Sequence, residues 1–403
     1  MATEESLHMP PFVDGGAEAL SWLRRMRDDQ PLWADARGMY HVFRYDDVQA
    51  VMSDHARFSS NLGHFMPGFD AEQVSANLSL QDPPGHRQLR TLVSQAFTPR
   101  TVAALRPRIA KITRELLDSV PDHTFDFVEH VAYPLPVTVI AELLGISPGD
   151  RAFFRSCADA LLGTQETATS AADQARALAE ANKELHEYLS AEARRRRGDA
   201  SSGLIGALAA AELDGQRLTD GQVATLSGLL LTAGHLTITL LLGNILLSLR
   251  DNPGVESRLR GDRLAVPAAV EETLRFRPPF HRVVRVTTRE VEIAGGVIPA
   301  RRVVMASTLS ANHDDRQFPE PDRFDIDRHP IRHLGFGRGI HFCLGGPLAR
   351  AETEIALNLL FDEFAEVALA GEPVFHDTEF YGPKQLTVSV RRSADNTLCT
   401  AKK

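Results

Sequence analysis

Cysteine is scarce in this 403-residue chain: the three present, Cys157, Cys343 and Cys399, are odd in number and far apart. Such a set makes neither a disulfide framework nor a Cys-x-x-Cys zinc site, and it suits a reducing, cytoplasmic compartment. A charged-then-apolar leader is missing from the opening MATEESLHMPPFVDGG, so neither export nor an N-terminal membrane anchor is expected. Excess positive charge is absent as well: 44 Lys and Arg stand against 53 Asp and Glu, a net charge of −9. Nucleic acid needs a basic face and is therefore not expected as a partner, and any basic patch must be local. The chain also lacks an internal repeat and a linker rich in Gly, Ser or Pro, so one domain over residues 1–403 is expected.

What is present is helix. Residues 101–120, 150–162, 171–197, 221–250, 265–275 and 347–368 carry helical periodicity or helix-former composition, which predicts a mainly α protein. Strand signals are short: 41–45, and a pair, 291–294 and 302–306, joined across Gly295-Gly296 and Pro299. They predict a small β-rich region, while 59–84 and 163–172 read as loops. The most apolar stretch, 223–249, is long enough to cross a bilayer. It is interrupted by Thr225, Ser227, Thr232, His235, Thr237, Thr239, Asn244 and Ser248, and so reads as the central helix of a large core. Within it, Ala233-Gly234 leaves a notch where a flat ring or small ligand can approach the backbone, with Thr237 one turn further on the same face.

Cys343 lies in FGRGIHFCLGGPLAR (336–350), spaced Phe-x-x-Gly-x-x-x-Cys from Phe336 and Gly339. Gly345, Gly346 and Pro347 follow, a combination suited to a turn that runs into a helix with proline in its first turn. A helix N-terminus there directs N–H groups toward the sulfur and favours a thiolate. On spacing alone, a metal-binding thiolate and a buried structural cysteine both fit. Three further motifs stand elsewhere. Glu272-Thr273-Leu274-Arg275 places an acid and a base on one helix face, with Pro321-Asp322-Arg323-Phe324 downstream. DPPGHRQLR (82–90) sets His86 and Arg90 one turn apart, able to grip a carboxylate. The fourth is Ala233-Gly234-His235-Leu236-Thr237 itself.

In order and spacing these motifs resemble the cytochrome P450 family of haem-thiolate monooxygenases over nearly the whole chain, closest to bacterial members that tailor macrolides and other polyketides. The resemblance implies the P450 fold and haem b (iron-protoporphyrin IX) with Cys343 as its axial ligand. Phe336 and Gly345 would flank it, and His86, Arg90, Arg285 and His341 would bind the propionates. Glu272, Arg275 and Arg323 would form a buried structural triad. Thr237, with Ala233 and Gly234, would position water and stabilise oxygen, whereas the plainer reading of Thr237 is a hydroxyl bonded back to its own helix. Family members usually carry an acid before that threonine; here Leu236 replaces it. By resemblance the substrate pocket draws on Phe65, Met66, Phe69, Leu161, Leu162, Leu229, Ala233, Leu236, Val283, Val284 and Phe380.

The activity so implied is hydroxylation or epoxidation of a bulky apolar secondary metabolite with O2. A peroxide-using haem-thiolate oxidase and a haem-binding sensor or carrier are the alternatives. With no flavin or iron–sulfur domain in view, electrons are expected from an external ferredoxin and its reductase. A local basic patch among Arg87, Arg90, Arg100, Arg332, Arg338 and Arg350 would receive the ferredoxin. A cytoplasmic monomer without membrane attachment completes the expectation.

Overall fold

Apolar residues recurring three and four apart become helices close to where the periodicity places them. The computed structural model describes residues 9–65, 71–161, 171–213, 215–376 and 380–393. Gly85–Ser94 forms α1, Ala171–Arg195 α2, Asp220–Asp251 α3, Val266–Phe276 α4 and Gly346–Glu363 α5. Further helices cover Pro99–Ser119 and Arg151–Leu161. Both α4 and α5 begin with a proline in the first turn, where a missing N–H goes unnoticed and the fixed φ is already helical.

Three expectations are corrected. Residues 364–368 do not continue the last helix; Phe364–Leu369 is a strand paired antiparallel with Thr387–Arg392, which in turn pairs with Thr124–Asp126. The Ala and Glu content of that stretch favours helix locally, but the ladder prevails. Tyr45 is not in a strand: it opens the helix Tyr45–Ser53, and the strand is Tyr40–Val42. Val291–Ile293 pairs with Gly296–Ile298 rather than with the 302–306 segment. Ala294 (φ 53°) and Gly295 (φ 78°) make the two-residue left-handed turn that a tight hairpin needs. The 59–84 segment is partly ordered into short helices at Leu62–Phe65, Ala71–Ala76 and Leu78–Leu80.

Five short strands, β1 (Leu32–Ala34), β2 (Tyr40–Val42), β3 (Phe58–Ser59), β4 (Val283–Thr287) and β5 (Val303–Ala306), form a sheet in the order β1-β2-β5-β4-β3. Only β2 and β5 run parallel; Val304 of β5 stands opposite Arg285 of β4. The chain divides into two compact units. The first comprises Met1–Ser60, Arg106–Tyr133 and Thr237–Lys403, and the second Asn61–Leu105 and Pro134–Leu236, so the boundary at 236/237 falls inside α3. The first unit holds the five-stranded sheet and packs Val42, Val48, Phe58, Val304, Phe318 and Leu334 into one core. The second holds α1, α2 and the first half of α3 and buries Leu189, Ile205, Leu226 and Leu231.

α3 is 32 residues long, about 48 Å at 1.5 Å per residue. Its most apolar window is 72% buried, so its apolar faces are spent on the interior. Two of its hydroxyls are accommodated by local bonding: Thr232 Oγ1 donates to Gly228 O (3.1 Å) and Ser248 Oγ to Asn244 O (2.8 Å). Asn244 Nδ2 donates to the carbonyls of Arg277 (2.9 Å) and Tyr381 (2.8 Å), which ties the helix to the first unit's loops.

Candidate functional site

The Cys343 loop is built by backbone geometry before any side chain acts. Gly337 N–H donates to Leu334 O (2.9 Å), Phe342 N–H to Gly339 O (3.1 Å) and Cys343 N–H to Phe336 O (2.8 Å), a closed set of turns. Gly339 has φ +70°, and a Cβ there would lie 2.9 Å from Met52 O and Ser53 Cα. Only glycine satisfies both the dihedral and the close approach. Cys343 comes out half-buried, with Gly345 capping α5 directly after it. The loop therefore brings Phe336, Cys343 and Gly345 together.

Side chains then fix the loop from one flank. Arg350, in the second turn of α5, lies over the Phe336 ring at 4.5 Å and donates to both oxygens of Glu271 (2.5 and 2.9 Å). Gly335 N–H donates to His333 Nδ1 (3.1 Å), which leaves Nε2–H to donate to Glu271 (3.2 Å). Burial alone would raise the Glu271 carboxyl, but the hydrogen bonds from Arg350 and His333 outweigh it and hold it down at about 2. Hydrogen bonds to Glu271 raise the pKa of Arg350 in turn, and the charge of Cys343 adds to that effect. Arg350 is thus committed to the loop and is not one of the free cations of a docking patch. Arg332 and Arg338, on the same stretch, are exposed.

Behind the loop stands a buried ion pair. Glu272 and Arg275, both 0% exposed, meet through two 2.8 Å hydrogen bonds on successive turns of α4. Arg275 also donates to the carbonyls of Asn312 (2.8 Å), Pro321 (2.9 Å) and Arg323 (3.1 Å), and Asp325 N–H donates to Glu272 (3.0 Å). Here the structure corrects the expected triad. The Arg323 guanidinium is 63% exposed and, among the described residues, reaches only Glu320 at 3.5 Å. Its place beside Glu272 is taken by Arg328 (3.3 Å, 9% exposed). The chain turns at Glu320, where φ is +46°, and the Arg323 backbone rather than its side chain faces inward.

Elsewhere in the first unit, Arg285 on β4 is buried and donates to Val284 O (2.7 Å), and His341 sits half-buried in the turn before the cysteine. Val283 and Val284 are half-buried. Phe380 packs edge-on against Phe280 at 5.3 Å, leaving Phe280 45% exposed. The exposed Phe280 ring beside β4 is apolar surface available to a ligand. The residue list read from sequence omitted Phe280, although the Pro278-Pro279 pair before it signals an extended segment that presents it.

In the second unit, His86 is buried in the first turn of α1, with Arg90 one turn on and half-buried. Along its part of α3, Leu229, Thr232, Ala233 and Gly234 remain accessible in a helix that is otherwise mostly interior, as does Thr237 in the part that belongs to the first unit. The nearest neighbours a Cβ on Gly234 would meet are Ile140 side-chain atoms at 3.5 Å. Leu236 and His235 are buried at 4% and 1% exposure. A cavity of about 490 Å³ opens between α2 and the first half of α3, and of the expected pocket residues Leu229 lines it. Phe65 and Leu161 end their helices, and Met66, Phe69 and Leu162 lie outside the described residues.

These residues fit a haem held through sulfur. The described cysteines are Cys157 and Cys343. Cys157 is buried, its thiol pushed up to about 11 by desolvation and the charge of Glu184, so it has no thiolate to offer. Cys343 is accessible, at a helix start, and under the influence of a cation. No cluster of three His, Cys, Asp or Glu suited to a free metal ion occurs among the described residues.

Comparison with known proteins agrees. A family model described as cytochrome P450 matches residues 169–374. Cyclomarin C epoxidase CymV of Salinispora arenicola is 43% identical over 385 residues, covering 94% of this chain and 98% of that protein. Erythromycin C-12 hydroxylase of Saccharopolyspora erythraea is 43% identical over 363 residues, 90% of each chain. Among solved structures, the open cytochrome P450 EryK from S. erythraea superposes with a TM-score of 0.90 at 40% identity, covering 96% of this chain and 99% of its own.

Proposed function

The chain belongs to the cytochrome P450 family, and on that premise we propose that it inserts one oxygen atom of O2 into a bulky, largely apolar secondary metabolite of the macrolide or wider polyketide class. The family and the named activities of its relatives make it a monooxygenase that takes haem b with a cysteine thiolate as axial ligand, acts on a small molecule and receives electrons from redox partners. When bound, haem b supplies O2 activation, with thiolate electron density favouring O–O cleavage. The relatives' hydroxylase and epoxidase names support the choice of reaction and, for the erythromycin enzyme, of substrate class.

The observation that carries the reading is the Cys343 loop: a half-buried cysteine closed onto Phe336 O, with Gly339 against the backbone of 52–53 and α5 starting just beyond. Cys343 is the axial ligand in this proposal. His86, Arg90, Arg285 and His341 are the residues that would bind the two propionates. Ala233 and Gly234 leave flat space on α3, and Thr237 holds a water and passes its proton toward oxygen. Leu236 offers no carboxylate, so Thr237 works without the usual acid neighbour. Phe280, Phe380, Val283 and Val284 exclude water from the reacting carbon. A ferredoxin and its reductase deliver electrons, and Arg332 and Arg338 are exposed for that contact. The chain acts as one catalytic domain, 1–403, cytoplasmic and monomeric.

The test is the reduced carbon monoxide spectrum of the haem-loaded protein, with turnover driven by NADPH and a surrogate ferredoxin under ¹⁸O2. The expected result is a red-shifted thiolate-type band, lost in Cys343→His and kept in Cys157→Ser, and one ¹⁸O atom per product. A histidine-type band in the parent sinks the ligand assignment. Product formed from peroxide alone, and not from O2 with NADPH, would establish the peroxide-using alternative that Leu236 invites.

A further inference from the structure

We infer that the free edge of the strand Phe364–Leu369 docks an extended segment of a partner protein, with an aliphatic side chain seated in a groove beside the edge and an acidic residue at Arg250. The strand ends its sheet: it pairs with Thr387–Arg392 on one side, and no described strand lies on the other. Register decides which backbone groups are left over. Ala370 N–H donates to Thr387 O (2.9 Å) and Ala368 stands opposite Ser389 in the same ladder, so Ala368 and Ala370 turn their N–H and C=O groups toward the paired strand. Val367 and Leu369 turn theirs outward. Each offers one donor and one acceptor, and the two residues stand about 7 Å apart, the two-residue repeat of an extended chain. Edges of this kind are usually blunted by lysine, proline or an inward-pointing charge, and residues 367–370 carry none of these.

Side chains make a groove of about 340 Å³ along that edge. Val367, Ala368 and Leu369 all line it, and three consecutive strand residues share one wall when the main-chain edge itself faces the space. Leu246 and Leu249 of α3 and Phe361 of α5 form an apolar floor that takes an aliphatic residue of the incoming strand. Charge at the rim selects what stands next to it. Glu256, in the helix Pro253–Gly261, accepts from Arg260 Nε (2.8 Å), and Asp251 accepts from both Arg250 Nε (2.8 Å) and Arg277 (2.9 Å). Three guanidiniums against two carboxylates leave one positive charge. Arg250 is the most exposed of the three at 42%, and its Nη groups make no bond among the described residues, so an acid on the partner pairs there.

Position keeps this contact apart from the chemistry. α5 starts just after Cys343 and ends where the strand begins, so its 18 residues, about 27 Å, separate the groove from the sulfur loop. A partner docked here tethers the enzyme and leaves the Cys343 loop clear.

The test is fluorescence anisotropy on the haem-loaded protein with a labelled peptide that alternates valine and threonine and carries one aspartate. Binding at about 10–100 µM is expected of so small a contact. N-methylation of the peptide's amides should weaken it about tenfold or more, and exchange of its aspartate for lysine about tenfold. On the protein, Val367→Pro removes an outward N–H without touching the ladder and should cost about tenfold, while Arg250→Glu should reverse the order of the aspartate and lysine peptides. The carbon monoxide spectrum and the turnover of both variants should match the parent's. An N-methylated peptide that binds as well as the unmodified one overturns the inference, because the edge then makes no hydrogen bonds; that arm needs no variant to fold. The lysine peptide binding tighter to the parent protein, or no saturable binding of any peptide, overturns it as well. If the parent sediments as a dimer that Val367→Pro dissolves, the edge belongs to a second copy of this chain and the inference falls.

Discussion

The Cys343 loop and the α2–α3 cavity are determined in opposite ways. In the loop nearly every group has a partner: backbone turns close on each other, Arg350 is fixed by a carboxylate and a ring, and Arg275 satisfies Glu272 and three carbonyls at once. The cavity presents partly exposed side chains with few commitments: Asn182 and Thr232 bond only back to their own helices, and no hydrogen bond or ion pair holds Lys183, His186 or Glu187 among the described residues. The difference teaches where each kind of information is held. A reactive ligand must be pre-positioned by a surround that has no alternative, whereas specificity can rest on groups that wait for a ligand.

The largest expected effect lies behind the loop. Glu272→Ala strands the Arg275 guanidinium in the interior and should cost about 3–5 kcal/mol in urea unfolding, with loss of haem on purification. A cost under 1 kcal/mol would mean that the pair does not hold the framework. Next comes Gly339→Ala, which forces a Cβ against the 52–53 backbone at positive φ. It should cost about 1–3 kcal/mol and speed haem transfer to a scavenger; unchanged haem retention would show that the turn can relax.

A third test uses pH. The Glu271 carboxyl titrates near 2 when folded and near 4.5 when unfolded, so its stabilisation is complete above the unfolded value and is lost as pH falls toward the folded one. The urea midpoint should therefore drop between about pH 5 and pH 3, and Arg350→Met should flatten that drop by removing the main cause of the shift. Smallest of all, Arg323→Ala and Lys183→Ala should each fall within about 0.5 kcal/mol of the parent. A large loss in Arg323→Ala would restore the triad first read from sequence; a large loss in Lys183→Ala would erase the contrast between loop and cavity.

Legibility in the sequence follows the same divide. Cys343, Glu272, Arg275 and the notch at Ala233-Gly234 stand in local patterns that the family resemblance picks out, and the long helices follow from periodicity. Arg323 misled because PDRFDIDR offers two arginines five residues apart, and only the turn at Glu320 decides which one reaches Glu272. Residues 364–368 misled because their helical composition yields to a strand partner some twenty residues later. The polar lining of the cavity could not be seen at all. It depends on which faces of α2 and α3 oppose each other, and neither Lys183 nor Thr225 carries a signal of its own.

The idle side chains of the cavity also have an evolutionary reading. A position whose replacement costs the fold almost nothing is open to drift, and α2 offers several such positions in a row along a binding surface. Substrate scope can then change through single near-neutral steps, each visible to selection only through the molecule it admits, while replacing the supports of the sulfur ligand costs the fold far more. An enzyme arranged this way can acquire a new substrate without first becoming a worse protein.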